Sequence, residues 1–385
     1  MADRLVAFLV NFNRRDLLLR AIASLQAQTR RPDRVLVIDN GSTDDSVVAA
    51  RALGDERVRI VELGENLGSS GGFHRGVVES LADGATHILV LDSDVVLAVD
   101  TIEHLADALG HHPRLGAVGP KVYHWDSATL LQELGGWIDW DQADLKRSHW
   151  RHDEARLGRV TTDQSVDYVP ACCLLATHAA FVAAGNFDPG WFLYWDDIDW
   201  CQRVLVAGFG IAVVASTRVQ HFGGGANKRN LVPVYYGWRN RLTFFRRRTP
   251  GARVEATMRA FASDYLLARF TCETLGLTKT AAVMRLGVDD ALAGVFARKD
   301  FSGVDVSLDS PAAPPPAVEP TERVHHVIAS ATAAMAARPG LYLLDRFGKQ
   351  LPAARAWELR QRFESDKMRK IEGLLARARA PNSGA

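Results

Sequence analysis

The chain carries almost no net charge: 46 Lys and Arg against 45 Asp and Glu leave +1 over 385 residues. No global field therefore draws it to nucleic acid or to acidic lipid, and any such attraction has to be local. Cysteine is scarce. Cys172, Cys173, Cys201 and Cys272 include no C-x-x-C pair and two of them are adjacent, which argues against a disulfide framework and fits a reducing cytosol. No apolar run is long enough to span a bilayer; "VPACCLLATHAAFVAAG" comes closest, interrupted by Pro170 and His178 and bounded by Asp167. "MADRLVAFLVNFNRR" is too short and too soon broken by Asn11 and Asn13 to read as a signal peptide. There is no internal repeat. What is present, 47% hydrophobic and 24% charged residues, describes a globular chain with one sizeable core and an appended domain.

"RLVAFLV" reads as a buried parallel strand, and "RDLLLRAIASLQAQ" follows with apolar residues at helical spacing. "DRVLVIDN" is a second strand, "STDDSVVAARAL" a helix with Ser42 as its N-cap, and "RVRIVEL" a third strand. "FHRGVVESLADG" is a helix closing at a glycine, and "THILVLDSD" a fourth strand. Strands alternating with helices across short loops predict an α/β fold with a parallel sheet flanked by helices. Such sheets bind ligands at the carboxyl ends of their strands. Here those ends carry Asn11 and Asn13, Asp39 and Asn40, Asn66, and Asp92 and Asp94. After Val95 the pattern is mixed, ending in the strand "GIAVVASTRVQH". From about Val234 the chain is helical, "DSPAAPPPAVEPTER" is a Pro-rich linker or surface loop, and the remainder is helix-prone.

In "LVLDSDVV", Asp92 and Asp94 stand two residues apart just past an apolar strand and can face the same way. Two hard oxygen ligands there suit Mg²⁺ or Mn²⁺ holding a diphosphate; a turn using Asp for local hydrogen bonds has the same spacing. His221 ends a strand and enters a glycine-rich loop with Lys228 and Arg229. A neutral imidazole there could complete an octahedral site with Asp94, and the loop cations could meet phosphate oxygens; a lone packed histidine is the plainer use. Asp39 could accept hydrogen bonds from a nucleobase edge, while Asn-Gly and Ser-Thr-Asp around it are also ordinary turn and cap chemistry. The glycines of "ENLGSSGGFHRG" mark either a close backbone approach or a pliable helix entry. Gly68, Ser70 and Gly72 satisfy G-x-S-x-G, the nucleophile elbow of α/β-hydrolases. "GENLG" separates that serine from its strand, however, and no HGGG-type loop precedes it.

"FLYWDDIDWCQR" places three carboxylates between Trp195 and Trp200. On a helix from near Asp196 to Gly208, at about 100° per residue, Ile198, Cys201, Val204 and Leu205 form an apolar stripe that includes Asp197. Asp196, Asp199, Gln202 and Arg203 fall on the other side, Asp196 as a cap and Asp199 with Arg203 as an ordinary surface i,i+4 pair. Asp197 is thus turned toward the interior or a cleft, where partial desolvation raises its proton affinity and makes it a candidate general base. Trp195 and Trp200 can wall such a cleft or pack in the core.

Taken in order, "FLVNFNRRDLLLRAIASLQAQTRRPDRVLVIDNGSTDDS", "ENLGSSGGFHRG", "LVLDSDVV" and "GNFDPGWFLYWDDIDWCQRVLVAGFGIAVVASTRVQH" resemble the inverting glycosyltransferases of family 2, over about residues 4 to 245. The resemblance implies a GT-A fold, a Rossmann-like nucleotide-binding mixed sheet over 1–245. A helical extension (246–305), a Pro-rich linker or loop (306–323) and a helical C-terminal segment (324–385) would follow. It implies that Asp39 reads the base of the nucleotide, Asp92 contacts ribose or metal, and Asp94 and His221 ligate Mn²⁺ or Mg²⁺. Asn11, Asn13, Asn66, Lys228 and Arg229 would join the donor site, Asp197 would be the base, and Trp195, Asp196 and Trp200 would face the acceptor. "WDDID" is similar to the W-D-D stretch of bacterial galactofuranosyltransferases, and "YYGWRNRLTFFRRR" to segments of rhamnosyl- and galactofuranosyltransferases of cell-envelope assembly. The implied donor is UDP-galactofuranose or a deoxysugar nucleotide such as dTDP-rhamnose, and the acceptor a glycan or lipid-linked hydroxyl. Where the family often has Glu before the catalytic Asp, this chain has Asp196. The expected location is cytoplasmic with peripheral contact at the inner face of the plasma membrane, since "RNRLTFFRRR" interleaves aromatics with cations; a solvated basic helix fits that stretch equally. A non-catalytic sugar-nucleotide-binding protein on the same fold, and a hydrolase using Ser70, are the alternatives.

Overall fold

The apolar run after Arg4 becomes β1 (Leu5–Asn11), apolar at every position from Leu5 to Val10 because helices cover both faces of the sheet it enters. The computed structural model describes residues 3–223, 230–274 and 276–309. The described residues of Met1–Ile138, Leu145–Gly225 and Ala297–Lys299 form one unit, and those of Asp139–Asp144, Ala226–Phe296 and Asp300–Ala385 another.

After β1 come α1 (Arg15–Gln26), β2 (Arg34–Asp39), α2 (Ser46–Arg51), β3 (Val58–Glu62), α3 (Gly68–Ala82), β4 (His87–Asp92), β5 (Val95–Leu97), α4 (Thr101–His111) and β6 (Leu115–His124). β7 (Leu131–Glu133), β8 (Gly136–Asp139), β9 (Asp144–Arg147), α5 (Glu154–Leu157), β10 (Gln164–Ser165), β11 (Cys173–Thr177), α6 (His178–Ala184), α7 (Asp196–Val206) and β12 (Gly210–His221) follow. Among the described residues the main sheet runs β10-β12-β6-β11-β4-β1-β2-β3, with β5 added beside β12 and β7 beside β6. β1 pairs in parallel with both β2 and β4, so the chain order reverses direction beside β1, which opens a crevice at the carboxyl ends of these strands. The register puts Asn11 beside Asp39 and Val10 beside Asp92. The polar strand ends read from the sequence therefore lie along one edge.

One face of β1 (Leu5, Ala7, Leu9) packs with Leu18, Ile22 and Leu25 of α1 and is continuous with Ile102 and Leu105 of α4. The other face meets α3, where glycines set the separation. A Cβ on Gly72 would stand 2.5 Å from Val10 Cγ1, and one on Gly76 would run into the Phe8 ring. Two expectations need correction. α2 begins at Ser46 after Asp45, because the Ser42 hydroxyl instead accepts from Asn11 Nδ2 (3.1 Å) and the Asn13 N–H (3.0 Å). α3 begins at Gly68, so the glycine-rich stretch is its first two turns rather than a loop before it.

The second unit holds α8 (Val232–Arg248), α9 (Val254–Thr274) and α10 (Thr278–Leu292). The aromatic-basic stretch of α8 is mostly interior, which removes its aromatic half from any membrane role: Phe244 and Phe245 are fully buried, with Trp140 stacked on the first and edge-on to the second. Arg241 pairs with Asp264 at 2.6 Å and lies 3.8 Å from Asp144, and Arg239 lies over the Tyr236 ring at 4.7 Å. Among the described residues no helix is long and apolar enough to cross a membrane. Lys228, Arg229, most of the Pro-rich stretch and the C-terminal segment lie outside the described residues.

The α3 packing gives a stability test. Gly76→Ala should lower the unfolding free energy by about 1–3 kcal/mol through overpacking against Phe8. Gly110→Ala, within α4 with no atom near its added Cβ, should raise it by about 0.5–1 kcal/mol. Denaturant midpoints of the two variants check both signs.

Candidate active site

β4 ends at Asp92, and a two-residue turn carries the chain through Asp94 into β5. β5 pairs with the end of β12, with His221 opposite Val95, and the Phe222 N–H bonds the Asp94 carbonyl at 3.0 Å. That short ladder brings the imidazole to the carboxylates. His221 Nε2 lies 3.3 Å from Asp94 Oδ1 and 3.8 Å from Asp92 Oδ2, and one ligand atom from each of the three residues falls within 4.8 Å of the others. Arg14, at the start of α1, forms an ion pair with the second oxygen of Asp94.

Burial disfavours charge on all of these groups, and their partners decide the outcome. For Asp94 the His221 hydrogen bond, the His221 charge and Arg14 outweigh burial and hold the carboxyl below its usual range. For Asp92, burial and then the Asp94 charge push the pKa up to about 7, against His221 and Arg14. Burial pulls His221 down, but the Asp94 hydrogen bond and both carboxylates raise it above an ordinary imidazole. Two carboxylates and an imidazole fit a hard divalent cation.

A second carboxylate pair stands at the start of α7. Asp196 is buried and accepts from Ser70 Oγ (2.9 Å) and Ser69 Oγ (3.2 Å) in the first turn of α3. Asp197 accepts from the Ala171 N–H (3.2 Å) and the Ile198 N–H (2.9 Å). Burial, then the Asp196 charge, push Asp197 up to about 8; the Ala171 hydrogen bond opposes this and Glu133 adds to it. Asp196 is also raised, by burial, with the Ser70 hydrogen bond opposing. The two groups adjoin. Ala171 donates to Asp197, the next residue's carbonyl, that of Cys172, accepts from the Asp92 N–H (3.1 Å), and the Asp196 charge is felt at Asp92.

The approach to α7 is strained. Phe192, Tyr194 and Trp195 all have left-handed φ, at 63°, 64° and 67°, an unfavourable conformation for aromatic residues. What holds it is contact with α3. The Phe192 carbonyl accepts from the Ser70 N–H (3.3 Å), and a Cβ on Gly68 would collide with that same carbonyl. The glycine is there for close backbone approach.

The donor-side residues named from the sequence are also bonded to one another. Asp39 is buried, its oxygens accepting from Asn11 Nδ2 (3.3 Å) and the Ser42 N–H (2.9 Å). Asn11 Oδ1 is buried with no hydrogen-bond partner among the described residues. Asn13 Oδ1 accepts from the Thr43 (2.7 Å) and Asp44 (3.2 Å) N–H groups, and Asn66 Oδ1 from the Gly68 N–H (2.9 Å).

Four expectations are corrected here. Trp200 is fully buried, 4.6 Å from Phe181 and 5.4 Å from Phe187, with its Nε1 donating to the Gly185 carbonyl, so no face of it is open to an acceptor sugar. Asp199 does pair with Arg203 at 3.1 Å, but inside the protein, because Arg203 also donates to the carbonyls of Ala184 and Asn186. Asp196 is more than a cap: its buried carboxylate, beside the first N–H groups of α7, is also bonded to the serines of α3. Ser70 is a buried helical residue committed to Asp196, not a nucleophile at a strand–helix turn, which removes the hydrolase reading. Trp195 is 8% exposed, so only a small part of its surface reaches solvent. Arg14, Ser69, Glu133 and Tyr168, whose hydroxyl donates to Glu133 at 2.8 Å, were not singled out from the sequence, and no local signal marks them.

A sheet with its switch point beside β1, an acidic-imidazole group at the end of β4 and a carboxylate pair beside it define a GT-A type glycosyltransferase. The model of Glycosyl transferase family 2 matches residues 7–179. The N-acetylglucosaminyl-diphospho-decaprenol L-rhamnosyltransferase of Mycobacterium tuberculosis is 30% identical over 236 residues, 57% of this chain and 76% of that protein. Galactofuranosyltransferase GlfT1 of the same organism is 28% identical over 216 residues, 54% of this chain and 66% of that one. Among solved structures, S. aureus TarS 1-349 shares the fold, with a TM-score of 0.50 and 13% identity over 76% of this chain and 81% of that one. The chain belongs to glycosyltransferase family 2.

The raised carboxyl has a consequence for stability. An unfolded Asp titrates near 3.9, so between about 4 and about 8 the folded state binds the extra proton at Asp197. Its contribution to stability falls as pH rises through that window. Asp197→Asn removes this part of the slope and leaves that of Asp92, so in EDTA the melting temperature of the variant should gain on that of the wild type steadily from pH 5 to pH 8.

Proposed function

We propose that this glycosyltransferase moves a sugar with inversion from a nucleoside-diphosphate donor, of the dTDP-rhamnose or UDP-galactofuranose class, to a hydroxyl of a glycan or lipid-linked acceptor. Asp197 is its base, and a divalent cation, Mn²⁺ or Mg²⁺, is held by Asp92, Asp94 and His221. The observation that carries this reading is the pairing of two different carboxylate environments across one short segment, Ala171 and Cys172. On one side Asp94 is held ionised against a histidine, as a cation ligand should be; on the other Asp197 is pushed up toward 8, as a proton acceptor should be. The relatives' names support the donor class and, for the first, a diphospholipid-linked acceptor.

In the proposed reaction Asp197 takes the proton of the acceptor hydroxyl as its oxygen bonds to the anomeric carbon from the face opposite the diphosphate. The bond to the diphosphate breaks, and its electron pair leaves with the nucleoside diphosphate. A divalent cation, when bound, supplies charge neutralisation for that leaving group. The Ala171 and Ile198 N–H groups fix the Asp197 carboxylate. Asp196, held by Ser69 and Ser70, stands beside it, and its charge when ionised raises the proton affinity of Asp197. Asp39 and the unpartnered Asn11 Oδ1 are the groups proposed to meet the nucleotide base, and Asn13 and Asn66 line the same edge.

Because a base must be deprotonated, kcat/KM should climb about tenfold per pH unit below pH 8 and level off above it. Asp197→Asn should lower transfer by about 10²–10⁴-fold, measured as nucleoside diphosphate released from a panel of sugar nucleotides with Mn²⁺ or Mg²⁺. Transfer unchanged in that variant would remove Asp197 from the role. Asp94→Asn and His221→Ala should abolish Mn²⁺ binding by calorimetry while leaving the fold intact; retained binding would place the cation elsewhere.

A further inference from the structure

Among the described residues two side-chain amide oxygens are buried with no hydrogen-bond partner: Asn11 Oδ1, at the end of β1, and Gln132 Oε1, in the middle of β7. A buried acceptor left unmet is destabilising, and it persists where a ligand brings the donor. The nucleotide gives Asn11 a use. Gln132 has none so far.

The backbone aims that amide. β7 pairs antiparallel with β6, Glu133 opposite Val122 and Leu131 opposite Tyr123, so Gln132 is the extra residue of a β-bulge. The bulge takes its side chain out of the regular alternation and turns it toward the end of β12. A Cβ added at Gly223 would stand 2.9 Å from Gln132 Nε2 and 3.5 Å from both Gln132 Oε1 and His221 Cε1, so the amide lies against Gly223 and beside the imidazole. The next residue faces the other half of the site. Glu133 accepts from the Tyr168 hydroxyl (2.8 Å), has Arg147 Nε at 3.9 Å, and its charge reaches Asp197. Tyr168 leads into the segment whose Ala171 and Cys172 hold Asp197 and Asp92. On its outer side β7 is fixed by the Leu131 N–H to the His152 carbonyl (2.8 Å) and by the bridge of Leu130 to Asp153. Two adjacent residues on a fixed strand thus reach from the histidine to the base.

Chemistry narrows what meets Gln132 Oε1. An amide oxygen needs a donor, and the oxygens of an ionised diphosphate only accept. In the in-line displacement proposed above, the sugar has to lie between the diphosphate and Asp197, the interval that Gln132 and Glu133 bracket. What a sugar brings there is hydroxyl groups. We propose that Gln132 is a specificity-determining residue for the transferred sugar, its amide oxygen accepting a hydrogen bond from a hydroxyl of that sugar while the diphosphate lies at Asp94 and His221. The proposal rests on the donor class given above and adds which side chain reads the sugar.

Calorimetry of the full chain with Mn²⁺ compares UDP-galactofuranose with UDP and dTDP-rhamnose with dTDP. Gln132→Met keeps the length of the side chain and removes the acceptor. In that variant the sugar nucleotide that the wild type binds should lose about tenfold in affinity, with Mn²⁺ and the bare nucleoside diphosphate unchanged. The ligand-free melting temperature should be equal or higher, because an unmet buried acceptor has given way to an apolar group. A lowered melting temperature would make Gln132 a structural residue, a loss of Mn²⁺ affinity would place it around the cation, and an equal loss for sugar nucleotide and nucleoside diphosphate would place it on the nucleotide; each overturns the proposal. Unchanged sugar-nucleotide affinity overturns it too and leaves the donor class standing, whereas a wild type that binds neither sugar nucleotide overturns both.

Discussion

Everything at this site depends on keeping several carboxylates in the interior of one sheet edge. Asp94 and Asp196 are almost fully buried, and Asp92 and Asp197 stand beside them. Left alone, such a group would be neutral at physiological pH or would unfold its surroundings. The protein divides the problem. At the end of β4 it supplies positive partners, His221 and Arg14, so that Asp94 stays charged. At the start of α7 it supplies hydroxyl and backbone donors, too few to cancel burial, so that Asp196 and Asp197 are left with raised proton affinity. Two kinds of carboxyl group thus arise from one residue type, and in the proposed mechanism that difference separates ligand from base.

The scaffold explains how this is held. Placing Asp196 against Ser69 and Ser70 requires the backbone before α7 to meet the first turn of α3, which a side chain at position 68 would block. Three aromatic residues accept left-handed φ in the same few positions. Strain of order 1–3 kcal/mol per residue persists there because the α3 contact, the Trp200 stack with Phe181 and Phe187, and the buried Asp199–Arg203 pair fix the helix on the other side. The strain sits beside the carboxylates proposed for function, where a softer backbone would let Asp197 swing away from Ala171.

Much of this was readable in the sequence, and the division follows range. β1 to β4 and α1 are patterns of contiguous residues, so periodicity finds them, and the D-x-D spacing and His221 at a strand end are local too. The inward turn of Asp197 was legible because helical phase is local. What covers each face is not. The serines that bind Asp196 lie 126 and 127 residues away and Arg14 lies 80 residues from Asp94. Hence Asp196 read as a cap, Trp200 as a sugar platform and Asp199 as a surface charge, when long-range packing had buried all three. Ser42 failed as a cap for a related reason: Asn11 and Asn13, some thirty residues earlier in the chain, claim its hydroxyl.

The most direct test is a crystal structure with Mn²⁺ and a nucleoside diphosphate bound. The account predicts one anomalous peak at ligand distance from Asp94 and His221, with Arg14 released from Asp94 and Asp197 facing the empty sugar position across Ala171 and Cys172. Nucleotide bound with the Arg14–Asp94 pair intact and the metal elsewhere would contradict it.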